Sequence, residues 1–147
     1  MTYKDIKHNE EVNELLKKGN QNLACWLHRA LTSHCVRVAE TAAHILKKFG
    51  YPEHDIELAR IAGYMHDIGN AINRSRHAEY GGLLANEILK QYDLSVPDRI
   101  TIVSAISNHD ESTGGAVDPI SQHSSSATRL MCAAAVCGKA QSILRHP

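Results

Sequence analysis

Apolar positions recur at helical spacing through most of the chain, and no stretch alternates as a half-buried strand would. The spacing predicts a short amphipathic helix over Asn9–Lys18, stopped by Gly19-Asn20, and a second over Leu23–Leu31. Thr32 or Ser33 caps a third, which runs to Lys48 and closes at Gly50. Tyr51-Pro52 makes a turn, and Asp55 caps a fourth helix that reaches His66-Asp67. Asn70–Arg76 reads as a polar loop and Ala78–Tyr92 as a fifth helix. Pro97 stands in the first turn of a sixth, which ends near His109. Glu111–Ser126 is rich in Ser, Gly and Thr and reads as a loop, whereas the Ala-rich stretch Leu130–Leu144 suits a further helix. The expectation is one all-α domain over residues 1–147, with a core at about 21–120 and an atypical tail at about 121–147.

Composition narrows this only slightly. With 147 residues the chain is one domain's worth, and with a single Trp and a single Phe its core rests on Ala, Leu and Ile, which favours close-packed helices. The formal net charge is zero, so no basic patch points to nucleic acid as a partner, although a nucleotide substrate stays open. Met1–Lys18 is too polar for a signal peptide, and no apolar run approaches membrane-spanning length. Cys25, Cys35, Cys132 and Cys137 lack paired zinc spacing and read as buried or free thiols of a reducing cytoplasm. The ten histidines are an excess that needs a reason.

Helical periodicity sorts them. Val38, Ala42, Ile45 and Phe49 form the apolar stripe of the third helix, with His34 on it and His44 on the opposite polar face. His66 shares a face with Ala59, Ala62 and Gly63, small residues that let another helix approach. His77 aligns with Gly81, Leu84 and Ile88, and His109 with Ile102, Ala105 and Ile106. His8, His28, His54, His123 and His146 have no such placement and read as surface or loop residues. Four inward imidazoles on or beside four helices, with Asp67 among them, each need a polar partner. One or two divalent metal ions would satisfy them together, and a metal-dependent hydrolase follows. A purely structural helical domain leaves the inward histidines without a reason.

From about Ser33 to Asp118 the chain resembles the HD-domain metal-dependent phosphohydrolases. The resemblance lies in Ser33-His34 with Arg37-Val38-Ala39, in Gly63-Tyr64-Met65-His66-Asp67-Ile68-Gly69, in His77-Ala78 leading to Gly81-Gly82, and in Asn108-His109-Asp110. It implies an HD-domain-like helical bundle. Members with two further histidines are similar to a dinuclear branch that hydrolyses dinucleoside polyphosphates or cyclic dinucleotides. By that resemblance His34, His66 and Asp67 hold one metal, and Asp67, His77 and His109 a second, with Asp67 bridging as the catalytic carboxylate. The implied reaction is attack of metal-activated water on phosphorus, on a nucleotide or small phosphoester. The ligand set suits iron, manganese, zinc or nickel. Where the family often carries Lys after the Gly, this chain has Asn70, so substrate contacts fall to Arg37, Asn70 and Arg74, with Arg76 an alternative cation.

The family's last ligand is an Asp on a late helix, expected near residue 127, where this chain has Ala127-Thr128-Arg129. After Asp118 there is no Asp or Glu at all. Back-translated from Gln122 to Lys139 and read two bases later, the permitted codons include Ala-Leu-Ile-Leu-Gly-Asp-Lys-Thr-Asp-Val-Arg-Arg-Ser-Arg-Val-Arg, which resembles the late-helix motif. Its first Asp falls across Ala127 and Thr128. A frameshift near residue 121 accounts for this, with impaired activity and a tail that takes part in self-association as the expected consequences. The alternatives are a true divergent tail, with Asp110 or Asp118 as substitute ligand, and a non-catalytic metal- or nucleotide-binding module.

Overall fold

The computed structural model describes residues 1–22 and 30–109, and within them the fold is all-α. The described helices are α1 (Tyr3–Lys7), α2 (Glu10–Asn22), α3 (Ala30–Lys48), α4 (Glu53–Met65), α5 (His77–Leu89) and α6 (Val96–Ser107), with a 3-10 turn at Ile68–Ala71 between α4 and α5. No helix among the described residues is long and apolar enough to cross a membrane.

Local signals set most boundaries. Asn9 accepts a hydrogen bond from the Val12 amide at 2.9 Å and starts α2. Gly50, at φ 72°, closes α3 in the left-handed region. Ser95 caps α6 by accepting from the Asp98 amide at 3.2 Å, and Pro97 lies in its first turn.

The structure corrects several expectations. α1 was not expected; Thr2 and Asp5 form a reciprocal capping box that nucleates it. α2 does not stop at Gly19-Asn20 but continues to Asn22. Gly19 there is a contact point, since a Cβ on it would lie 3.1 Å from the Asn70 Cβ and 3.4 Å from the Ala71 amide nitrogen. α4 begins at Glu53, with Pro52 rather than Asp55 at its cap. α5 begins at His77 and ends at Leu89, short of Tyr92. Phe49 leaves the apolar stripe of α3 and is 64% exposed, because it follows the last helical turn. The helix expected from Leu23 falls largely outside the described residues, and Asp110, Asp118 and the whole tail lie outside them too.

Two buried clusters hold the bundle. The larger joins Ile6, Val12 and Leu16 to Leu31, Ile61, Met65, Ile68, Ile88, Leu89, Ile102 and Ile106, and so links all six described helices. The smaller holds the distal ends of α3 and α4 through Ala42, Ile45, Leu46 and Ile56. Every residue from Ile61 to Asn70 is buried. His66 and Asp67 therefore sit on the most enclosed stretch among the described residues, between the two clusters' helices and α5.

Candidate metal centre

Small residues bring the site's backbones together. α3 and α4 run antiparallel, and at Gly63 a Cβ would stand 2.9 Å from the Ala39 Cα, so the two helices touch main chain to main chain. That crossing carries His34, a turn before it on α3, toward His66, a turn after it on α4. Gly69 does the same for α5: a Cβ on it would lie 2.5 Å from the Gly81 amide nitrogen and closer still to the His77 carbonyl oxygen. Gly69 has no positive φ. Its role is close approach rather than the helix stop that its position suggests.

The five predicted metal residues converge. Asp67 Oδ2 lies 3.2 Å from His66 Nε2 and 3.8 Å from His34 Nε2. Asp67 Oδ1 lies 3.5 Å from His77 Nε2 and 4.0 Å from His109 Nε2. His34, His66 and Asp67 form one group able to hold a metal ion, and Asp67, His77 and His109 a second. Three rings are locked by main-chain carbonyls. His66 Nδ1 donates to Gly63 O at 2.7 Å, His77 Nδ1 to Arg74 O at 2.8 Å and His109 Nδ1 to Ile106 O at 2.6 Å. With the proton on Nδ1, each Nε2 turns its lone pair to the centre, the orientation a metal requires. Two features then call for a cation. His66 Nε2 is buried with no hydrogen-bond partner, since Asp67 is near it but out of line. His77 Nε2 and His109 Nε2 face each other at 2.9 Å, two acceptors in contact. Nitrogen ligands at about 2.0–2.1 Å on one ion are spaced in this way. The donor set and its orphaned nitrogen fit a divalent transition metal.

The charges agree. Burial opposes ionisation of Asp67, yet the His66, His109 and His77 imidazoles outweigh it and hold the carboxyl well below its ordinary range. Burial first, then the neighbouring His66, pushes His109 down to about 4. Burial, His66 and Arg37 likewise lower His34. Both therefore stay neutral and able to ligate. Burial also disfavours a charged His66, but the adjacent Asp67 carboxylate prevails and raises it well above its ordinary value. A proton therefore competes with a cation for His66 Nε2.

The predicted substrate residues are placed differently from one another. Arg37 is exposed on α3, near enough to His34 to depress its titration. Arg74 is exposed on the loop before α5. Arg76 is turned to Glu79, with which it pairs. Asn70 is 2% exposed and faces inward: its Nδ2 donates to Asp67 Oδ1 and to Asp67 O, each at 3.0 Å. His44 is exposed as expected; His8 bonds Lys4 O at 2.8 Å, and His54 bonds Asp98 Oδ1 at 2.9 Å, both on the surface. Sequence reasoning did not find Asn22, whose Nδ2 donates to Asn70 O at 3.0 Å and braces the turn that carries the pair. It also left Cys35 as a generic thiol. That thiol is wholly buried against His66 and its titration is pushed up by burial. No local pattern marks either role.

The model of the HD domain family matches residues 31–138, most of the chain and all of the site. No curated protein matches the chain, and no solved structure does. The ordered histidines, the His-Asp pair at the end of α4, the all-α bundle and the extent of this match lead to one conclusion: the chain belongs to the HD domain family.

Proposed function

We propose that the protein is a metal-dependent phosphohydrolase acting on a nucleotide or small phosphoester. HD domains are generally hydrolases of this kind. The observation that carries the reading is the pair of donor groups sharing Asp67. His34, His66 and Asp67 would hold one ion and Asp67, His77 and His109 another. Bound there, iron, manganese, zinc or nickel would supply Lewis acidity toward a phosphoryl oxygen and would lower the pKa of bound water toward neutral. The chain's own residues do the rest. Asp67 spans both groups and stays ionised. The carbonyls of Gly63, Arg74 and Ile106 keep three imidazoles in the ligating tautomer. Arg37 and Arg74 offer cations outside the buried cluster for the substrate's remaining phosphates.

The late Asp is the open position, and we attribute its loss to the frameshift near residue 121. Fewer anionic ligands weaken metal binding and change the charge at the reacting centre. A non-catalytic module is the second reading, and the lack of any Asp or Glu after Asp118 favours it. Turnover separates the two. Full-length protein loaded with manganese or iron should hydrolyse a generic phosphodiester or a nucleotide. Asp67→Ala should lose more than the roughly 10–100-fold that removal of an outer partner causes. Absence of turnover in both proteins supports the module. Restoring the shifted frame should then tighten metal binding and speed hydrolysis; no gain in either overturns the frameshift account.

A further inference from the structure

We infer that the two metal positions are unequal, and that the tight one is built by Asp67 Oδ1, His77 and His109 rather than by the His34 side of the His-Asp pair. This rests on the metal reading above and concerns the order in which the positions fill.

The two halves differ in how far their donors are fixed. On the Oδ1 side both rings are tied at Nδ1, and the two Nε2 atoms are already 2.9 Å apart. His109 is 2% exposed, so its ring is immobilised by packing as well. The carboxylate oxygen on this side is itself anchored by the Asn70 amide at 3.0 Å. Asn70 in turn is buried against α2 at Gly19, and its main chain is held by Asn22. A cation arriving here orders nothing further and relieves the contact between two facing acceptors.

On the Oδ2 side His66 is equally fixed, by Gly63 O at 2.7 Å and by burial, but His34 is not. Among the described residues Oδ2 has His66 Nε2 near it at 3.2 Å but out of line, and nothing fixes the His34 ring through Nδ1. The His34 side chain is 35% exposed and its Nε2 stands 3.8 Å from Oδ2. A cation here must stop a half-exposed side chain from rotating and draw it in, an entropic cost the other side has already met in folding. Asn70 accordingly acts as a positioning residue: it holds Asp67 Oδ1 for the His77–His109 side.

The test titrates metal-free full-length protein with manganese, followed by calorimetry and by the paramagnetic resonance signal of free ion. Two steps are expected. His77→Ala and His109→Ala should remove the tight step, whereas His34→Ala should keep it and remove the weak one. Asn70→Ala should weaken the tight step by about tenfold, as loss of an outer-shell partner does. Asn70→Gln, which keeps an amide donor, should recover part of that loss. Circular dichroism of each variant separates unfolding from loss of a ligand. Loss of the tight step in His34→Ala with its survival in His77→Ala overturns the inference, and so do two equal steps; either result leaves the phosphohydrolase reading standing. No binding at all overturns both.

Discussion

Changing Gly69 to Ala should damage fold and site together. The new Cβ would lie 2.5 Å from the Gly81 amide nitrogen and 2.8 Å from the His77 carbonyl carbon. Ordinary contact needs about 3.5 Å, so the first turn of α5 must retreat by about 1 Å. It has little room, because a Cβ on Gly82, on the α6 side of the same helix, would already stand 3.2 Å from the Ser107 Cβ. Overpacking usually costs about 1–3 kcal/mol. Here the obstacles are backbone atoms on both sides, so about 3 kcal/mol is expected, or a fall in Tm on the order of 10 °C for a domain of this size. Any retreat also carries His77 Nε2 away from Asp67 Oδ1, from which it now lies 3.5 Å. Thermal unfolding and manganese titration of the variant should therefore fail together. Gly50→Ala is the control: its φ is 72° and nothing lies near it, so it should cost about 1 kcal/mol through backbone strain and leave metal binding intact. A Gly69→Ala protein that melts within about 2 °C of wild type and binds manganese unchanged would refute the close-approach argument.

Metal binding should tighten as pH rises. Asp67 raises the His66 titration, so a proton competes with the metal for His66 Nε2. Affinity should climb by up to about tenfold per pH unit while His66 remains protonated, then level off. Calorimetry in buffers of different ionisation heat should show proton release on binding, and a pH-independent affinity with no release would contradict the assignment. His54→Ala should cost less than about 1 kcal/mol, since the pair with Asp98 is 61% exposed at the imidazole. Asp98 raises the His54 titration, so this contribution is present below about pH 6.5 and fades as pH rises through the folded value. Denaturant unfolding at pH 6 and pH 9 measures it, and an equal loss at both would contradict the ion-pair origin.

Much of the site was legible because helical periodicity puts ligands on the faces that the small residues mark. His66 behind Ala59, Ala62 and Gly63, and His109 behind Ile102, Ala105 and Ile106, point inward in the structure as their spacing requires. What failed was the reading of glycines and asparagines. Gly19-Asn20 and Gly69 carry turn signals locally, but each is small where another backbone crosses, and that crossing is a tertiary fact. Asn70 reads as a polar loop residue open to phosphate, yet it lies 2% exposed with its amide on Asp67. Its direction depends on the 3-10 turn packing against α2, which no neighbouring residue announces. α1 escaped notice because five residues are too few for periodicity to register, and only its capping box marks it.

The central claim is that Asp67 joins two donor groups for metal ions. Anomalous diffraction from crystals of the full-length protein soaked in manganese tests it most directly. The account predicts a strong peak bonded by Asp67, His77 and His109, with a weaker one bonded by Asp67, His34 and His66 at higher manganese concentration. Absence of any peak at Asp67, with the metal elsewhere on the protein, would contradict it.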